Sequence, residues 1–174
     1  NQTEFSQVQY GAEFNRVIET ADKFGNAVIA IRGHADPTKT LVDLIRAGMK
    51  KGVLKRTGTR GNYAYSLNGR PLNLNATKSV LKAVERGEFD GETEYTPRQT
   101  MQAALNLSRK RAEQVKKSVM AFANGRWLVM DTTQIQTQGV GIREPIIAKP
   151  STMDDAKTNM RVEFRIVLVS AEVT

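Results

Sequence analysis

Along the chain the spacing of apolar positions changes several times, and each change marks an element. Residues 10–24, YGAEFNRVIETADKF, set Phe14, Val17, Ile18 and Ala21 three and four positions apart. That is the stripe of an amphipathic helix, and Gly25 with Asn26 suits its end. The next run, AVIAIRG at residues 27–33, is nearly continuous in apolar side chains and of strand length, which predicts a central strand covered on both faces. Helix followed by buried strand opens an α/β layer.

From Pro37 to Thr96 the pattern is less regular. Leu41, Leu44 and Ile45 predict a short helix that Gly48 and Gly52 interrupt or end, and TGTRGNYAYSLNGRP reads as turns around a short extended piece. Residues 75–86, NATKSVLKAVER, return to helical spacing through Val80, Leu81 and Val84, with Asn75 as candidate cap. GEFDGETEYTP is then acidic and glycine-containing, as expected of exposed chain. Some sixty residues thus separate two clearer elements, too many for a plain loop, and residues 37–96 read as an elaborated insertion.

The strongest helical signal is TPRQTMQAALNLSRKRAEQVKKSVMAFANG. Thr96 suits the cap and Pro97 the first helical position, while Ala104, Leu107, Ala112, Val115, Val119 and Phe122 mark an apolar side, with Arg111 one turn beyond Leu107. WLVMDTTQIQTQGVG predicts a connector and then a strand, and Gly139 with Gly141 fits a tight bend after it. In MRVEFRIVLV, Val162, Phe164, Ile166 and Leu168 alternate with Arg161, Glu163 and Arg165, the signature of a half-buried strand. Residues 1–9 offer only EFSQVQ as a weak strand. The order of helices and strands therefore predicts an α/β fold.

Composition narrows the chemistry. With 174 residues the chain suits one domain, and 40% hydrophobic with 25% charged residues is ordinary for a globular one. No run approaches the roughly 18 apolar residues of a membrane span, and no signal peptide is evident. There is no cysteine, so disulfides and thiolate ligands are excluded. A net charge of +8 favours acidic partners such as nucleic acid, anionic lipid or an anionic cell-surface polymer. It is raised around Lys50, Lys51, Lys55, Arg56 and Arg60, and again along Arg109, Lys110, Arg111, Lys116 and Lys117; each cluster also fits a solvated face.

Catalysis finds little support. With His34 as its one histidine, the chain cannot build a three-histidine zinc site, and His34 with Asp36 lacks a third partner. Ser108 lies within a predicted helix rather than on a nucleophile elbow. Nucleic-acid binding would use the basic helix SRKRAEQVKK with stacking from Tyr63, Tyr65 or Trp127.

Four segments in order, IAIRGHAD, LNLSRKRAEQVKKSV, IQTQGVGIREPI and NMRVEFRI, together resemble the OmpA-like C-terminal domain, by which outer-membrane, lipoprotein and flagellar-stator proteins hold peptidoglycan. Gly33, His34 and Asp36 match its first motif, with Ala35 in place of the usual threonine. Leu107, Ser108, Arg111 and Ala112 match the helix motif, and Asn159, Arg161, Val162 and Glu163 the last, with Met160 replacing an arginine. The resemblance covers residues 10–36 and about 97–170. It implies a single α/β domain over 1–174, a two-layer sandwich in which helices back a mixed sheet, with a βαβαβ core, its first strand weak or missing, and an insertion at 37–96 rising near Asp36. Ala104 stands where the family usually has an asparagine contact.

The function so implied is noncatalytic: peptidoglycan is held through the diaminopimelate of its stem peptide, anchoring an envelope protein to the wall, in the periplasm as part of an outer-membrane or other membrane-anchored protein. Asp36, an ionised acceptor, would take the ligand's ammonium, and Arg111, a rigid donor fork, its carboxylate. Asp36 equally suits a turn cap and Arg111 a structural pair with it. The bound peptide would sit between the GHAD turn and the N-terminal half of the Arg111 helix. His34 would shape the turn or line the cleft, Asn159 would hold the loop near the site, and Arg161 would bind acidic groups or pair at the strand end. No cofactor, metal or nucleic acid is implied, and a dimer is left open. The alternative is an OmpA-like scaffold without wall binding, whose insertion, with Leu67, Leu72, Leu74, Phe89 and Tyr95, completes the core or covers a protein partner.

Overall fold

The computed structural model describes residues 2–23, 27–126 and 131–168. In chain order its elements are α1 (Gln2–Lys23), β1 (Ala27–His34), α2 (Thr38–Lys51), β2 (Leu54–Thr57), β3 (Ala64–Leu67), β4 (Arg70–Leu72), α3 (Thr77–Glu85), α4 (Pro97–Gly125), β5 (Ile135–Gly141), α5 (Met153–Asn159) and β6 (Val162–Leu168). The architecture is mixed α/β, with two three-stranded sheets and helices packed on them. The chain divides into two compact units. The first comprises Asn1–Gly33, Leu107–Val140 and Arg161–Thr174; the second comprises His34–Asn106 and Gly141–Met160.

In the first unit the sheet order is β5-β1-β6, and β6 runs antiparallel to β1 with Ile31 opposite Phe164 and Arg32 opposite Glu163. Phe14, Val17, Ile18 and Ala21 of α1 and Ala112, Val115, Val119 and Ala123 of α4 bury against Ile29, Ile31 and Ile135. Phe14 is the centre of this core, meeting Phe122 and Phe164 edge-on with ring centroids 5.8 and 6.0 Å away. Such contacts add about 0.5–1.5 kcal/mol each beyond the burial of area. A side chain at position 33 has no room: a Cβ there would lie 2.0 Å from the Ser108 carbonyl oxygen of α4. Gly139 serves the same closeness on β5, where a Cβ would come within 3.1 Å of the Arg109 backbone. It lies inside the strand, not in a bend after it.

The second unit contains residues 37–96, and these form a core of their own. Leu41, Leu44 and Ala47 of α2 and Val80, Ala83 and Val84 of α3 pack with Leu54, Leu67, Leu74 and Phe89, and Tyr65, Leu72, Tyr95 and Met101 border them. The five apolar residues left open between core and partner surface are therefore core or its margin. Gly48 does not interrupt α2; it lets Leu54 and Phe89 approach, and Gly52 ends the helix in the left-handed conformation with its N–H on the Gly48 carbonyl. The expected short extended piece is β3, with turns on either side of it, and it is the middle strand of an antiparallel sheet β2-β3-β4 that the hydrophobic spacing did not suggest.

Other expectations also change. EFSQVQ lies within α1 rather than in a strand. Asn75 does not cap α3, whose N-cap is Ala76 without a side-chain bond; the Asn75 N–H instead donates to the Asn73 side chain. Leu107, counted on the apolar side of α4, is 47% exposed. Residues 127–130, including Trp127, lie outside the described residues. The Gly33 contact gives a direct test of the packing. Gly33→Ala should destabilise the protein by about 2 kcal/mol or more, because the obstructing atom is helix backbone rather than a side-chain tip. Chemical denaturation would measure this, and an unchanged midpoint would contradict so close an approach of β1 to α4.

Candidate functional site

Among the residues singled out in the sequence, His34, Asp36 and Asn159 belong to the second unit, and Arg111 and Arg161 to the first. The turn after β1 is fixed by several bonds. The Ala35 N–H donates to the Gly141 carbonyl at 2.8 Å, and the Ala35 methyl packs with Leu81 and Ile142 beside Ala104 and Met101. Asp36 accepts the Thr38 N–H on one carboxylate oxygen at 2.9 Å, an Asx turn at the start of α2. Its other oxygen accepts the Asn159 Nδ2–H, also at 2.9 Å. His34 is fully buried.

Asn159 is the most heavily used of these side chains. It is inaccessible to solvent, at the end of α5, and its Oδ1 accepts the Ile147 N–H while its Nδ2 donates to the Ile147 carbonyl and to Asp36, all at 2.9 Å. Both amide hydrogens and one carbonyl lone pair are thereby satisfied. The bond to Asp36 joins the first and last sequence motifs across 123 positions. The short helix that carries Asn159 was not foreseen from hydropathy, yet it has a readable start. Thr152 caps it by accepting the Asp155 N–H at 3.1 Å, and Asp155 reaches back to the Ser151 N–H and hydroxyl. Those bonds from Ser151 hold the Asp155 carboxyl below its ordinary range.

In the first unit, Arg111 is half-buried on α4, one residue before buried Ala112. Arg161 donates from Nε to Glu163 at 2.7 Å, with its side chain only 18% exposed. Arg32, nearly buried on β1 opposite Glu163, donates to Gln138 of β5 at 3.0 Å, a polar connection the sequence did not suggest. Among the described residues no three His, Asp or Glu side chains cluster as a metal site would require, and no helix is long and apolar enough to cross a membrane.

Compared with family models, curated proteins and solved structures, the chain matches none. The case for a site therefore stands on its geometry and its motifs.

Charge in the second unit is sorted. Three of the four acids that follow α3 are held by cations: Lys50 reaches Glu94 at 2.6 Å, Arg86 reaches Glu88 at 3.3 Å and Arg98 reaches Asp90 at 2.9 Å. Arg46 lies over the Tyr95 ring at 5.5 Å, so α2 clamps the acidic segment from one side.

Two measurements follow. Asn159→Ala leaves the Ile147 N–H and carbonyl without their side-chain partners in a buried setting, which should cost about 2–4 kcal/mol and speed amide exchange at Ile147. Exchange as slow as in the wild type would show that Asn159 is not what holds that loop. The second concerns Glu94, whose carboxyl the Lys50 hydrogen bond lowers and whose contact in turn raises the Lys50 ammonium. A carboxyl depressed by folding stabilises above its unfolded pKa and loses that contribution as pH falls through the folded value; the raised ammonium loses its own as pH rises through its folded value. The thermal-midpoint difference between wild type and Glu94→Gln should therefore be present at neutral pH, disappear in strong acid and shrink with salt. A difference unchanged by acid would exclude the pair as its source.

Proposed function

We propose that the chain is a noncatalytic binder of peptidoglycan that holds the diaminopimelate group of the stem peptide and anchors an envelope protein or complex to the wall, in the periplasm. The observation that carries this reading is the Asp36–Asn159 hydrogen bond, which brings the GHAD and NMRVE segments of the OmpA-like pattern together. In the first unit Gly33 lies against the backbone of Ser108, so the GHAD segment also meets the helix motif there. Chance matches of short motifs have no reason to touch one another.

The chemistry is that of receiving a zwitterion. An ionised carboxylate offers about four lone-pair sites, and protein N–H donors occupy two of those on Asp36. Acceptor capacity is left for an ammonium, and the two bonds already made fix the direction in which it is offered. Arg111 takes the ligand carboxylate in this reading, because a guanidinium can engage it through two parallel bonds. Asn159 acts by positioning Asp36. Arg161 has the weaker claim on ligand, since its Nε is committed to Glu163.

The test is retention on insoluble peptidoglycan with competition by free diaminopimelate. Wild type should be displaced by the amino acid with stereochemical preference. The double variant Asp36→Ala, Arg111→Ala should lose that displaceable fraction, by about a hundredfold in affinity if two charge-assisted contacts go. Equal, equally displaceable retention of both proteins would sink the assignment.

A further inference from the structure

The second unit carries a basic surface that the stem-peptide site does not use. Residues 44–84 contain Lys and Arg throughout but no Asp or Glu. On the sheet made by β2, β3 and β4, Arg56 lies opposite Tyr65, and its guanidinium stands 4.2 Å from the centroid of the Tyr63 ring. Tyr63 meets Tyr65 edge-on at 6.4 Å, and the Lys149 ammonium lies 6.0 Å from the Tyr65 centroid. The side chains form a row in which two tyrosines hold a cation at either end. Exposed Lys55 adds charge on β2, and exposed Arg60 does so in the turn that follows it. Among the described residues, the ion pairs of this unit engage Lys50, Arg86 and Arg98 and none of these four cations.

We propose that this sheet is a second docking surface for the wall, binding the repeating carboxylates of acidic peptidoglycan; the proposal rests on the reading above and extends it. Charge complementarity supplies the first argument. A polyanion gains from several unneutralised cations at once, and the stretch 44–84, which carries three of the four, holds no Asp or Glu. The use of the tyrosines supplies the second. A single-stranded nucleic acid needs aromatic faces open for stacking. Here one face of Tyr63 is taken by Arg56 and its neighbour is an edge contact, so the rings serve to fix cations. An anionic membrane would be met by an apolar wedge beside the charge. No exposed large hydrophobic residue lies between positions 53 and 72, where Lys55, Arg56 and Arg60 stand; the exposed Ile146 and Met153 belong to the segment of Lys149, at one end of the row. Connection to the Asp36 site supplies the third. Lys149 is two residues from Ile147, which Asn159 ties to itself while it holds Asp36. One loop of this unit thus serves both surfaces, and a polymer engaged at one raises the effective concentration of its carboxylates at the other.

The experiment compares wild type with the triple variant Lys55→Gln, Arg56→Gln, Arg60→Gln on insoluble sacculi across a salt series, each with and without free diaminopimelate. Wild-type retention should fall as salt rises. The variant should bind about tenfold more weakly at low salt, as loss of three exposed, screened attractions predicts, and should show a flatter salt response. Diaminopimelate should still displace it. On sacculi with amidated carboxyls the two proteins should no longer differ. Retention of wild type that ignores salt, or of the variant at the wild-type level, would overturn the proposal without touching the stem-peptide site. Hairpin-dependent retention that diaminopimelate never displaces would instead sink that site alone, and no retention at all would sink both. Tighter wild-type binding to a single-stranded oligonucleotide or to anionic vesicles than to sacculi at physiological salt would reassign the surface.

Discussion

Asn159 spends its whole side chain inside the fold, and the second unit is organised around that expenditure. Hydrogen bonds from it join the end of α5, the loop at Ile147 and the carboxylate of Asp36, and Asp36 is 123 positions away in sequence. A buried amide left short of partners would be costly, so the arrangement is selected as a set. Asp36 is oriented from two sides as a result, by Asn159 and by the first turn of α2. The loop reaching Lys149 is fixed by the same residue. Hence the candidate receptor carboxylate and the far end of the cation and tyrosine row depend on one side chain.

A second constraint is electrostatic. Cations beside the acidic segment are drawn to it, whether close in sequence, as Arg86 and Arg98 are, or 44 positions away, as Lys50 is from Glu94, and their fields are largely cancelled. Arg56 of the β2-β3-β4 sheet and Lys149 beside it have tyrosine rings rather than carboxylates for neighbours. A ring's quadrupole attracts a cation without neutralising it. The positive potential of that surface therefore survives into solvent, where it acts over about a Debye length, roughly 8 Å at physiological ionic strength. Net charge alone, as read from composition, does not distinguish these two fates of a lysine.

Long periodic segments were legible and short ones were not. The helix from Pro97 to Gly125 and the strands 27–34 and 162–168 lie where their hydrophobic spacing places them, although Leu107 on the helix and Ile166 on the last strand, both counted on an apolar side, are 47% and 39% exposed. The insertion's sheet has strands of three or four residues, too short for alternation to register. It did carry one signal. Asn68 and Gly69 both adopt positive φ, at 51° and 82°, between paired Leu67 and Arg70, which is the two-residue hairpin turn that an Asn-Gly pair favours. The Ser-Thr-x-x-Asp start of α5 was equally readable from its polar residues. The side-chain bond between Asp36 and Asn159 was not, because nothing local in either segment points to a partner 123 positions away.

Asp36 also shows why a structural role and a binding role need not compete. A carboxylate used only as a turn cap needs one acceptor contact, and Thr38 supplies it. The second contact, from a buried amide on another element, adds nothing to the turn. It removes the freedom of the carboxylate to rotate, and an ordered acceptor loses less entropy when a ligand's ammonium is docked on it. Arg161 differs: it stands just before β6, and its Nε is directed at Glu163 two residues on. In the proposed reading, Asp36, held by contacts from separate parts of the chain and with acceptor capacity left over, is therefore the residue that receives the ligand's ammonium.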